Sequence, residues 1–352
     1  MDEWLVNAHV LLTCPFSFVE AKKMHLKISI PLVLTVYIFT FVTGLPANLL
    51  AFYTFLVKVR QKPTPVDILL LNLTVSDLLL LLFLPFKMVE AASGMVWLLP
   101  PFLCPLTYFI YYSSIYVSSL FLMAVSVERY LGVAFPIKYK LWRREAYAIA
   151  ASVVFWVVAS CHCSIVFIAQ YQSSNKTTLP ADTSNCYENF STQQLEVVLP
   201  VRLELFVVLF CIPFIITIFC YANFVRILLA LPNIPVQRKQ RAVGLAVVTL
   251  VNFIVSFAPY NVSHIVGFIQ GESPQWRVYV LLFTTLNASL DPVIFYFSST
   301  AIQRAFNKYL AGLRRQICAT MAWCHLPGLT SCWEGGNKGE APSVDKTEES
   351  MT

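Results

Sequence analysis

Seven long apolar runs are the feature of this sequence that most constrains its fold. Each run holds about twenty or more mostly apolar residues, which is the length a helix needs to cross the hydrocarbon core of a bilayer. Backbone groups in lipid must hydrogen-bond within their own segment, so each run predicts a helix and not a strand. The predicted spans are 28–57, 66–91, 102–133, 146–171, 197–231, 242–269 and 276–297. The sequence therefore predicts an all-α membrane protein, a seven-transmembrane helix bundle.

The composition supports an integral membrane protein. Only 12% of the 352 residues are charged and 57% are hydrophobic, whereas soluble domains carry about a quarter charged residues. The net charge is +6, but the basic residues lie beside the apolar runs, where membrane topology explains them better than nucleic-acid binding. We therefore expect a lipid bilayer around the chain and no nucleic-acid partner.

The distribution of Lys and Arg between the loops predicts the orientation of the bundle. Cytoplasmic loops carry an excess of basic residues, and one set of loops holds nearly all of them. These residues are Lys58, Arg60, Lys62, Lys138, Lys140, Arg143, Arg144, Arg226, Arg238, Lys239 and Arg241. With an odd number of spans, residues 1–27 are then an extracellular N-terminus, 28–299 the membrane domain, and the C-terminus cytoplasmic. Residues 1–27 lack a basic n-region and a long apolar stretch, so we expect the first span itself to direct insertion.

Residues 300–316 predict a cytoplasmic amphipathic eighth helix on the inner membrane surface, because their apolar and basic residues fall largely on different faces. The apolar face comprises Ile302, Ala305, Phe306, Tyr309 and Leu313. Residues 317–352 are mostly polar and predict a flexible cytoplasmic tail. Its cysteines Cys318, Cys324 and Cys332 are equally consistent with palmitoylation and with unmodified thiols.

Two features belong to the loop predicted to lie outside between the fourth and fifth spans. Asn175 and Asn189 each begin an Asn-x-Ser/Thr glycosylation sequence. Cys186 lies in the same loop, and Cys104 opens the third span on the same side. Both cysteines would face an oxidising compartment, where disulfides form.

Four nitrogen-bearing side chains collect at one level of the outer half, counted at about 1.5 Å per helical residue. They are Arg202, Arg277, His162 and His264. Two guanidiniums at one level repel each other unless an anion sits between them, and the forked donors of Arg match a carboxylate. The hypothesis is that Arg202 and Arg277 bind a ligand's carboxylate.

His162, His264 and Tyr260 would then be supporting donors, and Tyr112 and Tyr116 are candidates to line the ligand's tail. In the alternative reading, Glu188 in the loop, or Glu204, neutralises the arginines in a permanent ion pair. A mixed case, in which Glu188 pairs with them in the empty state and yields to the ligand, also fits these residues.

One short motif in each span makes the chain resemble the rhodopsin-like (class A) G-protein-coupled receptors. The motifs are Gly44-Leu-Pro-Ala-Asn48, Leu73-Thr-Val-Ser-Asp77, Glu128-Arg129-Tyr130 with Cys104, Trp156, Pro213 with Tyr221, Pro259, and Asp291-Pro292. Further stretches resemble the short-chain free fatty acid receptors, types 2 and 3. These stretches are Ser113-Ser-Ile-Tyr116, Cys186-Tyr-Glu-Asn-Phe190, Val198-Leu-Pro-Val-Arg-Leu-Glu204, Pro259-Tyr-Asn-Val-Ser-His264 and Leu286-Asn-Ala-Ser-Leu-Asp-Pro292.

The resemblance implies a plasma-membrane receptor that is activated by acetate, propionate or butyrate. It implies coupling to heterotrimeric G proteins of the Gi/o class, with the Gq class as an alternative, and binding of arrestin. It also implies a disulfide between Cys104 and Cys186. The activation residues it implies are Glu128, Arg129, Tyr130, Tyr221, Phe253, Phe257, Asp291 and Pro292. Receptors of the class bind sodium in mid-bundle, and the matching residues are Asp77, Ser118, Asn287 and Asp291. The two carboxylates there need a cation, a proton or bound water; no other metal or cofactor is expected.

The sequence departs from the wider class at three places. Phe257 replaces the usual Trp below the proline of the sixth span, and Asp291-Pro292-Val-Ile-Phe295 replaces Asn-Pro-x-x-Tyr. Lys239 stands where an acidic partner for Arg129 is usual, so the common inactive-state lock is not expected.

Other functions with many spans fit less well. A retinal-binding protein needs a Lys in its last span, and 276–297 contains none. A transporter of anions and protons would usually show inverted repeats, which the halves of this chain lack. No catalytic, metal or nucleotide motif has a plausible spacing, so we do not expect an enzyme. The remaining alternative is a receptor for another small carboxylate, such as a hydroxy or keto acid.

Overall fold

All seven apolar runs are helical in the computed structural model, which describes residues 29–142, 144–174, 186, 192–232, 234–298 and 300–323. Within these ranges seven helices are long and apolar enough to cross a membrane. The spans are Ile30–Gln61, Pro65–Ala92, Leu103–Ala134, Glu145–Ser174, a fifth span of three consecutive segments (Thr192–Leu205, Phe206–Cys211 and Ile212–Ala230), Val236–Gln270 and Arg277–Ser298. The described residues contain no strand. The predicted seven-helix bundle is thus confirmed.

The third span is the centre of the bundle. It contacts the second, fourth, fifth and sixth spans, while the first span packs on the second and the seventh. A helix surrounded on several sides must be buried on several faces, and large side chains such as Tyr111, Tyr116 and Phe121 on this span are almost completely buried. The third span is therefore packed against neighbouring helices on several sides.

A proline in the seventh span explains a contact with the first. Pro292 has no backbone N–H, so the carbonyl of Ala288 four residues earlier loses its helical donor. The side-chain amide of Asn48 donates to that carbonyl over 2.6 Å. A Cβ at Gly44 would lie 3.2 Å from the same carbonyl oxygen, so glycine permits the close approach. The Gly44-to-Asn48 motif therefore joins the first span to the seventh.

The fifth span contains a π-helical segment, Phe206–Cys211, directly before Pro213. Pro213 cannot donate to the carbonyl of Leu209, four residues earlier. The hydroxyl of Ser119 in the third span donates to that carbonyl over 2.9 Å. The π-helical segment is thus stabilised by a side chain from a neighbouring helix. Such a donor is needed because a buried backbone carbonyl must be hydrogen-bonded.

The remaining described helices are Pro136–Trp142, between the third and fourth spans, and Thr300–Trp323. The second of these belongs to a separate unit that begins at Ser299. It has 24 residues, more than the predicted 300–316, with Arg304 and Lys308 exposed and Ile302 buried. Its placement on the membrane surface stays a prediction. Cys324 and Cys332 lie outside the described residues, as does the side chain of Cys318.

Candidate ligand-binding site

A disulfide marks one end of the bundle. Cys104, at the start of the third span, is bonded to Cys186, 82 residues later, with their Cα atoms 6.0 Å apart. Cys186 packs in a buried cluster with Trp97 and Tyr108. The predicted disulfide is therefore confirmed, and it fixes the loop before the fifth span to the third span. We call this end of the bundle the disulfide end.

Arg277 begins the seventh span at the disulfide end and contacts the sixth. Its Nη2 donates to the hydroxyl of Tyr260 over 2.7 Å. The guanidinium carbon lies 5.2 Å from the centroid of the Tyr260 ring and 5.8 Å from that of Tyr112. The two rings stack at 6.2 Å and 13°. Cation–π attraction and a hydrogen bond thus hold the side chain in one orientation.

Arg202 approaches from the fifth span and is held by a different hydroxyl. Its side chain is only 5% exposed, and Nη1 donates to Oγ of Ser273 over 2.7 Å. Ser273 lies in the loop 271–276 that joins the sixth and seventh spans. Sequence reasoning missed it, because a serine in a short loop gives no signal of the helix that it will contact.

The hydrogen bond of Arg202 to Ser273, four residues before Arg277, brings the two cations to the same end of the bundle, where like charges repel each other. In a site of low dielectric constant, such repulsion is stronger than in water. An anion between the guanidiniums would relieve it, and a carboxylate matches their donor geometry. Glu188, the predicted internal counter-charge, lies outside the described residues, so its pairing with the arginines stays a prediction.

Tyr116 and His264 connect the third and sixth spans beside this site. The hydroxyl of Tyr116 lies 3.0 Å from Nε2 of His264, and both side chains are buried. The His264 ring meets the Tyr260 ring edge to face, with the centroids 4.7 Å apart. Nδ1 of His264 is buried and has no hydrogen-bond partner among the described residues. Together these side chains form a polar and aromatic wall next to Arg277.

His162 and Glu204 form a link between the fourth and fifth spans. Nε2 of His162 lies 3.0 Å from a carboxylate oxygen of Glu204, and Nδ1 contacts the carbonyl of Val158 at 2.7 Å. Both side chains are partly exposed. The described contacts of His162 are therefore with Glu204 and its own helix. Glu204, proposed from sequence as a partner of the arginines, has His162 as a neighbour.

Four aromatic rings connect the fifth and sixth spans between the level of the arginines and the Arg129 end of the bundle. Phe210 stacks on Phe214 at 5.4 Å, and Phe214 stacks on Phe253 at 5.8 Å. Phe253 in turn contacts Phe257 at 5.2 Å. Pro213 and the π-helical segment lie in the same stretch of the fifth span. The rings therefore give the two helices a continuous packed contact.

At the opposite end, the predicted activation residues hold neighbouring elements together. Nη1 of Arg129 donates to the hydroxyl of Tyr221 over 3.2 Å, and the hydroxyl of Tyr139 donates to Glu128. The Tyr130 ring packs edge to face on Phe219 at 5.8 Å. Lys239, which stands at the usual lock position, donates to the backbone carbonyl of Leu229 over 3.0 Å.

A polar cluster fills the middle of the bundle between the second, third, sixth and seventh spans. The Ser118 hydroxyl lies 3.5 Å from Asp77, and the Asn287 amide donates to Asp291 over 2.7 Å. Asn252, which sequence reasoning missed, donates to Asn287 over 2.8 Å. An Asn inside an apolar span was the signal, since buried amides need polar partners.

The oxygen-rich cluster fits a small hard cation. One carboxylate oxygen of Asp77 is buried without a hydrogen-bond partner among the described residues, and the carboxylates of Asp77 and Asp291 are both buried. Carboxylate and hydroxyl oxygens are the ligands that hard cations prefer. Asp77, Ser118 and Asp291 would hold such an ion. The glycosylation sequences at Asn175 and Asn189 lie outside the described residues.

These features define a seven-helix membrane receptor, with a polar site at one end and a hydrogen-bonded arginine at the other. Residues 47–295 match the family described as 7 transmembrane receptor (rhodopsin family). The chain belongs to this family of G-protein-coupled receptors, which are not enzymes. It is accordingly a multi-pass protein of the plasma membrane, and a small-molecule ligand and heterotrimeric G proteins are its expected partners.

Among curated proteins, the chain is similar to free fatty acid receptors. It is 57% identical to free fatty acid receptor 2 of Mus musculus over 284 residues, or 80% of this chain and 86% of that protein. It is 51% identical to free fatty acid receptor 3 of Mus musculus over 281 residues, 80% and 87% of the two chains. Similarity to free fatty acid receptor 1 of Macaca fascicularis is lower, at 32% identity over 73% of this chain and 88% of that protein.

Proposed function

We propose that this receptor is activated by short-chain fatty acids, namely acetate, propionate and butyrate. The carboxylate would be bound between Arg202 and Arg277, with Tyr260 and His264 as supporting donors and Tyr112 and Tyr116 beside the tail. The observation that carries the proposal is that guanidiniums of the fifth and seventh spans are each held by a hydroxyl at the disulfide end of the bundle. The names of the relatives, free fatty acid receptors 2 and 3, support the ligand class.

His162 was predicted as a further donor to the ligand. A direct contact with the carboxylate would require its ring to leave Glu204, which lies 3.0 Å away. We therefore propose that His162 contributes less to carboxylate binding than the donors Tyr260 and His264. Glu188 keeps its proposed role as the internal counter-charge that yields to the ligand.

The proposed signal passes from the anion to the opposite end through packed side chains. A ligand shifts a two-state equilibrium only by binding one state more tightly. Contraction of the fifth and seventh spans around the carboxylate would displace the Phe210–Phe253–Phe257 contacts and separate the far ends of the fifth and sixth spans. Arg129 and Tyr221 would then face a G protein, of the Gi/o class first and the Gq class second, and later arrestin.

The proposal also includes an extracellular N-terminus and a sodium site in mid-bundle. The excess of Lys and Arg in the loops at the Arg129 end supports this orientation. The unpartnered oxygen of Asp77 supports the ion. Sodium bound there would neutralise carboxylate charge and favour whichever bundle conformation keeps the oxygens together.

A panel of carboxylates tests the ligand class. Cells expressing the receptor would receive acetate, propionate, butyrate, lactate, pyruvate, octanoate and the uncharged ester methyl propionate, with inhibition of cAMP and calcium release as readouts. Responses to the three short acids and none to the ester are expected. If only lactate, pyruvate or octanoate is active, the ligand is another carboxylate and the short-chain assignment is wrong.

A further inference from the structure

The two site arginines are held by hydroxyls of different origin. Arg277 donates to Tyr260 within the bundle, whereas Arg202 donates to Ser273 in the loop 271–276. A long Arg side chain has several rotatable bonds, and ordering it costs conformational entropy. A fixed partner that lowers this cost before the ligand arrives raises the affinity for that ligand.

The loop that carries Ser273 is fixed by its own sequence. The sixth span ends at Gln270 and is capped by Gly271, whose φ of 69° lies in the left-handed region that glycine adopts without strain. A Cβ at Gly267 would lie 3.1 Å from the carbonyl oxygen of Glu272 and 3.2 Å from Cδ of Pro274. Gly267 thus lets the loop fold back onto the last turn of the helix, and Pro274 is buried there.

The folded-back loop places the Ser273 hydroxyl against the fifth span. Its hydrogen bond to Arg202 joins residues 71 positions apart, and it reaches a guanidinium that is 5% exposed. A hydrogen bond from a charged donor is stronger than one between neutral groups. The loop 271–276 therefore contacts Arg202 through the uncharged hydroxyl of Ser273.

We propose that Ser273 is a positioning residue that holds Arg202 ready for the ligand's carboxylate. This inference rests on the proposed carboxylate site. Since Ser273 acts through Arg202 and not through the ligand's tail, its removal should weaken acetate, propionate and butyrate by the same factor. A general defect in the shape of the site would instead change the three potencies unequally.

The test compares Ser273→Ala, Ser273→Thr and Arg202→Ala with wild type in dose–response curves for the three acids, at matched surface expression. Ser273→Ala should raise each EC50 by between about tenfold and 150-fold, the range that corresponds to loss of one hydrogen bond to a charged group. Ser273→Thr keeps the hydroxyl and should restore most of the potency. Glu272→Gln, a change at an exposed neighbour in the same loop, is the control and should shift the EC50 by less than about twofold.

The outcomes separate this inference from the proposed function. If Arg202→Ala abolishes the response while Ser273→Ala behaves as wild type, the carboxylate site stands and the positioning role is wrong. The role of the hydroxyl would also be wrong if Ser273→Thr lost as much potency as Ser273→Ala, or if Glu272→Gln did. If Arg202→Ala itself responds normally, the proposed carboxylate site fails.

Discussion

Arg277, the first residue of the seventh span, donates a hydrogen bond of 2.7 Å to the hydroxyl of Tyr260 in the sixth. The contact places a cation at the junction of the sixth and seventh spans, both of which move in the proposed mechanism. It also leaves the guanidinium beside the stacked rings of Tyr260 and Tyr112. The Tyr260 side chain therefore links the orientation of Arg277 to the packing of the sixth span.

Replacement of Tyr260 by Phe should weaken the response to propionate. The ring remains for stacking, but Arg277 loses its acceptor, and loss of one hydrogen bond to a charged group corresponds to a rise in EC50 of between about tenfold and 150-fold. Tyr279→Phe is the matched control, because its hydroxyl accepts from the backbone of Ser29 at the same end of the bundle. An unchanged EC50 for Tyr260→Phe would show that its hydroxyl does not position Arg277.

Replacement of Asn48 by Ala should lower the stability of the purified receptor. The Ala288 carbonyl freed by Pro292 would lose its donor, at a cost of about 1–3 kcal/mol. Thermal unfolding in detergent should then begin several degrees lower. Asn223→Ala, which removes an exposed amide that donates within its own helix to the carbonyl of Phe219, should leave the unfolding temperature near that of wild type. Equal losses would contradict this account of the proline contact.

Replacement of Ser119 by Ala tests the π-helical segment. The Leu209 carbonyl would lose the hydroxyl that crosses from the third span, so thermal stability should fall by about 1–2 kcal/mol. Ser152→Ala is the comparison, since the buried Ser152 hydroxyl donates within its own helix to the carbonyl of Ala148. If the Ser119 variant is as stable as wild type, the segment does not depend on this bond.

Sodium should modulate the wild-type receptor through the mid-bundle cluster. Exchange of sodium for choline is expected to shift the EC50 of propionate by at least about fivefold in wild type, the lower end of the usual range of allosteric coupling. Asp77→Asn should abolish the shift. Asp67→Asn removes an acidic residue that pairs instead with Lys58, and it should keep the response to sodium. A persistent shift in the Asp77 variant would place the ion elsewhere.

Most of the fold was predictable because hydropathy and helix length are coupled in a bilayer. The seven predicted spans correspond to the seven observed ones, with differences at their ends. The sixth span begins at Val236 and not at 242, because residues 237–241 are polar and fall outside an apolar window. A helix that leaves the membrane continues through its backbone hydrogen bonds, which hydropathy does not report.

The candidate site was predictable only in part, since sequence spacing gives depth but not direction. Depth counting brought Arg202 and Arg277 to one level, and in the structure Arg202 is hydrogen-bonded to Ser273, four residues before Arg277. It also grouped His162 with them, whereas the ring of His162 contacts Glu204. Ser273 was missed because its position depends on how the loop folds back at Gly267. Such loop geometry depends on packing that a linear count does not contain.

The most direct test of the paired-arginine site is a propionate dose–response for wild type, Arg202→Ala and Arg277→Ala. Inhibition of cAMP and calcium release would be measured at matched surface expression, with Arg60→Ala, a change at an exposed arginine at the opposite end, as the control. The account predicts a response from wild type and the control and none from either site variant. Wild-type potency in both site variants would show that the arginines are structural and that the ligand binds elsewhere.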